Sequence, residues 1–186
     1  MRMRALASML FAITALAVAP LQAADRSASL YQLHERLQDQ DGKAIDLDVH
    51  RGHATLVTMF YGSCPATCPL IIDTLRAIER KVDAARGAQL RVLLVSFDAE
   101  NDTPGALKLL AQSRHIDTMR WTLAHADEPT VRRIAAALNI QYKKLPDGGF
   151  SHATIISVLD ADGKIVEQSA ELGHADPEVL KALNAR

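Results

Sequence analysis

Two kinds of apolar pattern alternate along this chain. Ala54–Tyr61 (ATLVTMFY) and Leu90–Phe97 (LRVLLVSF) are short β-rich runs without regular polar alternation, the pattern of strands covered on both faces. Between them, Leu70, Ile71, Leu75, Ile78 and Val82 recur at helical spacing from Cys68 to about Arg86-Gly87. Asp102 or Thr103 then caps a helix running to about Arg114, with Pro104 suited to its first turn. Trp121–Ala124 reads as a third strand, and Asp127 caps a helix over Glu128–Leu138. Further on, Ile140–Leu145, Ser151–Leu159 and Lys164–Glu171 read as strands joined by the turns Pro146–Gly149 and Asp160–Gly163. Asp176-Pro177 opens a closing helix. Near the start, Leu33–Leu37 and Ala44–Leu47 flank the polar turn Gln38–Lys43, which predicts an N-terminal β-hairpin.

A β-α-β-α-β block followed by a β-β-α block is the order of an α/β, thioredoxin-like domain, a mixed central sheet flanked by helices. The length of 186 residues suits one such domain. Residues 1–23 stand outside it. Arg2 and Arg4 precede the uncharged apolar run Ala5–Ala19, and Leu21-Gln22-Ala23 offers a cleavage site, which is the layout of a secretory signal. The alternative is an uncleaved signal anchor. The expected organisation is therefore a signal over 1–23 and a single domain over 24–186, exported to an oxidising, periplasmic space. There the domain is soluble, or tethered by an uncleaved signal, and monomeric.

Composition narrows the function. Apolar residues make up 48% and charged residues 23%, enough for a packed core. The 21 basic and 22 acidic residues form no dense cationic stretch, which argues against nucleic acid as a partner. Two cysteines are too few for a disulfide scaffold, and they stand four positions apart, at Cys64 and Cys68, where the first buried strand meets the first long helix. A helix N-terminus favours thiolate over thiol. Two side chains four apart on a helical turn have Cβ atoms roughly 5–6 Å apart, wider than the ~3.5–4.5 Å of a relaxed disulfide. Such a pair is suited to holding a soft metal ion, or to redox exchange with some local adjustment.

A third ligand completes a metal site. Of seven histidines, His34, His50, His53, His115 and His174 fall in polar stretches or turns, and His125 ends a short strand. His152 differs. It follows the Gly148-Gly149 loop and begins an apolar strand, on the hairpin that a thioredoxin-like fold sets beside its cysteine turn. Pro146 lies six residues too early to be the cis-proline that dithiol reductases carry there. Two thiolates with one imidazole suit Cu(I), and also accept Cu(II) or Zn(II); zinc favours a fourth ligand, which tilts the choice to copper.

Three blocks also resemble the Sco/SenC family. LVTMFYGSCPATCPLIIDTL is similar to its Cys-Pro-x-x-Cys-Pro core motif, VSFDAENDTPGAL to the acidic loop after the second strand, and FSHATIISVLDADGKIV to the histidine-bearing strand with its Asp-x-x-Gly turn. The resemblance implies copper binding through Cys64, Cys68 and His152. It implies a copper-holding or copper-delivering assembly factor for the CuA site of cytochrome c oxidase, one that also reduces the target's cysteines. Its implied partners are the oxidase subunit bearing CuA, other copper chaperones and thiol–disulfide proteins. Asp98 and Asp102 match acidic positions near the site. The chain departs from the family in Ala66-Thr67 between the cysteines and in Phe150-Ser151 before the histidine. The competing class is an extracytoplasmic thiol–disulfide oxidoreductase using the Cys64/Cys68 pair alone.

Overall fold

The computed structural model describes residues 29–64 and 67–185. The predicted signal over 1–23, and Pro65 and Ala66 of the cysteine turn, lie outside the described residues.

Five strands form the central sheet. Thr55–Phe60 (β3) and Ile156–Leu159 (β8) are buried at every position, as are all of Arg91–Ser96 (β4) except Arg91 and all of Trp121–Ala124 (β5). Ile165–Ser169 (β9) completes the order β5-β4-β3-β8-β9. β3, β4 and β5 run parallel, in line with their continuous apolar runs, and β8 and β9 run antiparallel to their neighbours. Arg36–Gln38 (β1) and Ala44–Asp46 (β2) form the predicted N-terminal hairpin, preceded by a 3₁₀ turn over Leu30–Leu33.

The helices follow the capping signals. Thr103 and Asp127 accept from the backbone N–H three residues on, capping Pro104–Ser113 (α3) and Glu128–Ala137 (α4). Asp176 caps Pro177–Asn184 (α5) through the Glu178 N–H. Each of the three has proline in its first turn. The first long helix divides. Thr67–Lys81 (α1) stops before Val82-Asp83, and Ala84–Gly87 (α2) is a separate turn. α1 packs on α5, α5 on β8 and β9, and α3 on β5. No helix among the described residues is long and apolar enough to cross a membrane.

One predicted strand is two. Ser151–Leu159 breaks after His152: Phe150–His152 (β7) pairs with Tyr142–Lys144 (β6) in a separate hairpin, whereas β8 joins the central sheet. The apolar run is continuous in sequence, but its two halves answer to different partners. His152 therefore belongs to a small accessory hairpin rather than to the start of a core strand.

Candidate functional site

Because β3, β4 and β5 are parallel, with Phe60 opposite Ser96 and Val95 opposite Ala124, the loops that leave them emerge at one end of the sheet. In open α/β sheets this edge is where ligands bind. The β3 exit carries Tyr61, Gly62, Ser63 and Cys64. The β4 exit carries Phe97, Asp98 and Asp102, and the β5 exit carries His125 and Asp127.

Cys64 and Cys68 are both buried, 8% and 4% exposed, and no disulfide joins them. Only Cys68 lies in α1; Cys64 precedes it. The two share one acceptor. The Tyr61 carbonyl takes the Cys64 N–H at 3.3 Å and the Cys68 thiol at 3.0 Å. The thiolate expected of a helix N-terminus does not hold for Cys68. Burial pushes its thiol far above the ordinary cysteine range, and the nearby Cys64 sulfur and Asp102 carboxylate push the same way. Desolvation outweighs the half-charge of the helix end.

His152 stands one aromatic ring away from this turn. Its ring meets Tyr61 edge-on at 5.9 Å between centroids and lies 4.9 Å from the Phe97 ring. Tyr61, Phe97, Tyr142 and Phe150 pack together, with Phe97 stacked on Tyr142 at 5.4 Å and 16°. This aromatic shelf docks the β6–β7 hairpin over the β3 exit, and no polarity pattern in the sequence revealed it. Among the described residues no three His, Cys, Asp or Glu side chains approach closely enough to hold a metal ion. The structure thus brings the two thiols together and sets His152 against the residue that accepts the Cys68 thiol, without closing a three-ligand cluster.

Asp98 and Asp102, the acidic positions near the site, are buried, at 1% and 4% exposure. Asp98 accepts from both the backbone and side-chain N–H groups of Asn101. Asp102 is tied to the cysteine turn itself. Its Oδ2 accepts from the Gly62 N–H at 2.7 Å and from Ser96 Oγ at 2.5 Å, and burial raises its pKa above the usual carboxylate value. The other histidines divide. His125 Nδ1 lies 3.1 Å from the Asp102 carbonyl, so it supports the same loop. His50 is not the solvated surface residue its polar stretch suggested, since its Nε2 lies 3.1 Å from Thr122 Oγ1 at the opposite end of the sheet. Beside the aromatic shelf a cleft of about 720 Å³ opens, lined by Phe97, Asp98, Glu100, His125, Tyr142 and Phe150 among others, and neither cysteine reaches it.

The SCO1/SenC family pattern matches residues 23–185. The chain belongs to the SCO1/SenC family. It is 25% identical over 133 residues to the SCO1 protein homolog of Bacillus subtilis, a stretch covering 70% of this chain and 68% of that protein. The matched stretch spans between 65% and 68% of the first relatives' own length. Among solved structures it resembles Bradyrhizobium japonicum ScoI with copper bound, at TM-score 0.62 and 25% identity over 81% of this chain and 95% of that one. It also resembles BsSco, described as a member of the Sco family of cytochrome c oxidase assembly proteins, in which a disulfide switch was identified; the TM-score is 0.65 at 21% identity over 81% of this chain and 91% of that one. These likenesses bear out the thioredoxin-like fold read from the element order.

Proposed function

We propose that this protein holds and delivers copper, as Cu(I), for assembly of the CuA site of cytochrome c oxidase. The ligands are Cys64, Cys68 and His152. The carrying observation is that the Tyr61 carbonyl gathers the Cys68 thiol and the Cys64 backbone N–H, with the two buried sulfurs beside each other and the His152 ring packed edge-on against the Tyr61 ring. The donor set is two soft sulfurs and one imidazole, which suits Cu(I) over hard cations. Binding the ion releases the thiol protons and replaces the Cys68 hydrogen bond to Tyr61. To join the two sulfurs, the His152 imidazole would turn toward them from its place against the Tyr61 and Phe97 rings. Membership of a family with copper-bound and oxidase-assembly relatives supports the reading. The charged run-in followed by Ala5–Ala19 supports export, and with it a recipient outside the cytoplasm.

The test is an anaerobic Cu(I) titration of the reduced protein against a competing chelator. Saturation at one equivalent is expected, with tight binding lost in Cys64→Ser and Cys68→Ser and weakened at least tenfold in His152→Ala. Unchanged affinity and stoichiometry in His152→Ala removes His152 from the site. A second reading, a thiol–disulfide oxidoreductase, is favoured by the Cys64 sulfur lying beside the Cys68 thiol with no third donor closing a cluster among the described residues. Rapid reduction of a model disulfide by a protein that binds copper weakly would put that reading first.

A further inference from the structure

The Tyr61–Gly62 peptide group is held at both ends. Its C=O points at the cysteines, accepting the Cys68 thiol at 3.0 Å and the Cys64 N–H at 3.3 Å. Its N–H points the opposite way and donates to Asp102 Oδ2 at 2.7 Å. Asp102 is itself fixed from behind by Ser96 Oγ at 2.5 Å, and its own carbonyl lies 3.1 Å from His125 Nδ1. It is 4% exposed, and among the described residues it makes no salt bridge. An ionisable group so placed calls for a reason, because burying a carboxyl without a cation is costly. Packing alone is a weak one. The approach is so close that a Cβ on Gly62 would stand 2.6 Å from Asp102 Oδ1, so position 62 has to be glycine for this carboxyl to reach the peptide.

The geometry points to Asp102 as a positioning residue of the cysteine pair: by holding the Gly62 N–H it aims and polarises the Tyr61 carbonyl toward Cys68 Sγ, and so favours the dithiol over the disulfide. The argument is one of differential bonding. A thiol can donate to the Tyr61 carbonyl and a disulfide sulfur has no proton to give, so whatever strengthens that acceptor stabilises only the reduced pair. An acceptor whose own peptide N–H is bound to a carboxyl is strengthened by hydrogen-bond cooperativity. A peptide pinned at its N–H also cannot rotate its C=O away. The step concerned is exchange with a thiol–disulfide couple such as glutathione. Two glutathione thiols give two electrons and two protons to the Cys64–Cys68 disulfide, whose S–S bond breaks as that of oxidised glutathione forms.

This inference rests on reading Cys64 and Cys68 as the working pair, but not on copper. It is tested by equilibrating the metal-free protein in glutathione buffers of graded ratio and measuring the fraction of disulfide. In Asp102→Asn, which keeps the shape but offers a weaker acceptor, the equilibrium should move roughly two- to tenfold toward the disulfide, the scale of one hydrogen bond. Tenfold corresponds to about 30 mV for this two-electron couple. Gly62→Ala, which forces the carboxyl away, should move it the same way and carries the test should Asp102→Asn fail to fold. Asp127→Ala uncaps α4 and lowers melting temperature, yet should leave the equilibrium where it was. An unchanged equilibrium in a folded Asp102→Asn or Gly62→Ala protein, or an equal shift in Asp127→Ala, overturns the assignment. If the parent protein closes no disulfide at any glutathione ratio, the pair reading falls and this proposal falls with it. If the parent closes one and the variants match it, only the role of Asp102 is lost.

Discussion

At the scale of single residues, burial decides the chemistry of this protein more than charge does. Cys68 sits at the start of a helix, where the dipole favours a thiolate, yet its thiol is driven upward because the sulfur is shut away from water. His50 shows the same effect with the opposite sign. Burial first, and the Arg91 cation second, lower its pKa from 6.5 to about 4. The unfolded chain therefore takes up this proton near pH 6.5 and the folded chain only near 4. Stability from the neutral ring is whole above pH 6.5 and is lost as pH falls through that window. The loss by pH 4 is on the order of 2 kcal/mol, allowing for screening at a partly exposed ring. Urea midpoints measured at pH 7 and pH 4.5 should separate less in His50→Gln than in the parent, and equal separations would show that His50 does not titrate in this way.

At the scale of elements, the site is assembled by a hairpin that the core does not need for its own sheet. Among the described residues β6 and β7 pair only with each other, and they are seated by Phe97, Phe150 and Tyr142. Phe97 is 3% exposed, so Phe97→Ala should cost about 3–5 kcal/mol by cavity formation. It should also speed amide hydrogen exchange across residues 142–152 far more than in β3. Uniform acceleration over both segments would mean the hairpin is not docked by this ring. Much of this level was legible beforehand. Proline one or two residues after Thr103, Asp127 and Asp176 marked three helix starts, and unbroken apolar runs marked the parallel strands. The break after His152 was not legible, because the apolar run passes through it, and only the choice of pairing partner, β6 or β3, divides it. The end of α1 was hidden for a similar reason. Val82 continues the apolar spacing, and its 6% exposure shows that it is buried even though the helix has ended at Lys81.

At the scale of the whole molecule, parallel topology gathers three strand exits at one edge, and the chain spends that edge on a thiol pair, a buried carboxyl and a docked imidazole. The cysteine pair could be read from its spacing. The grip of Asp102 on Gly62 could not, because 40 residues separate them and neither belongs to a periodic pattern. The family accounts for the fold, and among the described residues the three proposed ligands do not close into one cluster. Copper K-edge X-ray absorption on the Cu(I)-loaded protein examines their convergence on one ion most directly. The account predicts two sulfur scatterers and one nitrogen scatterer around a single copper, with the nitrogen lost in His152→Ala. A parent spectrum containing sulfur alone, or an identical shell in the variant, would contradict it.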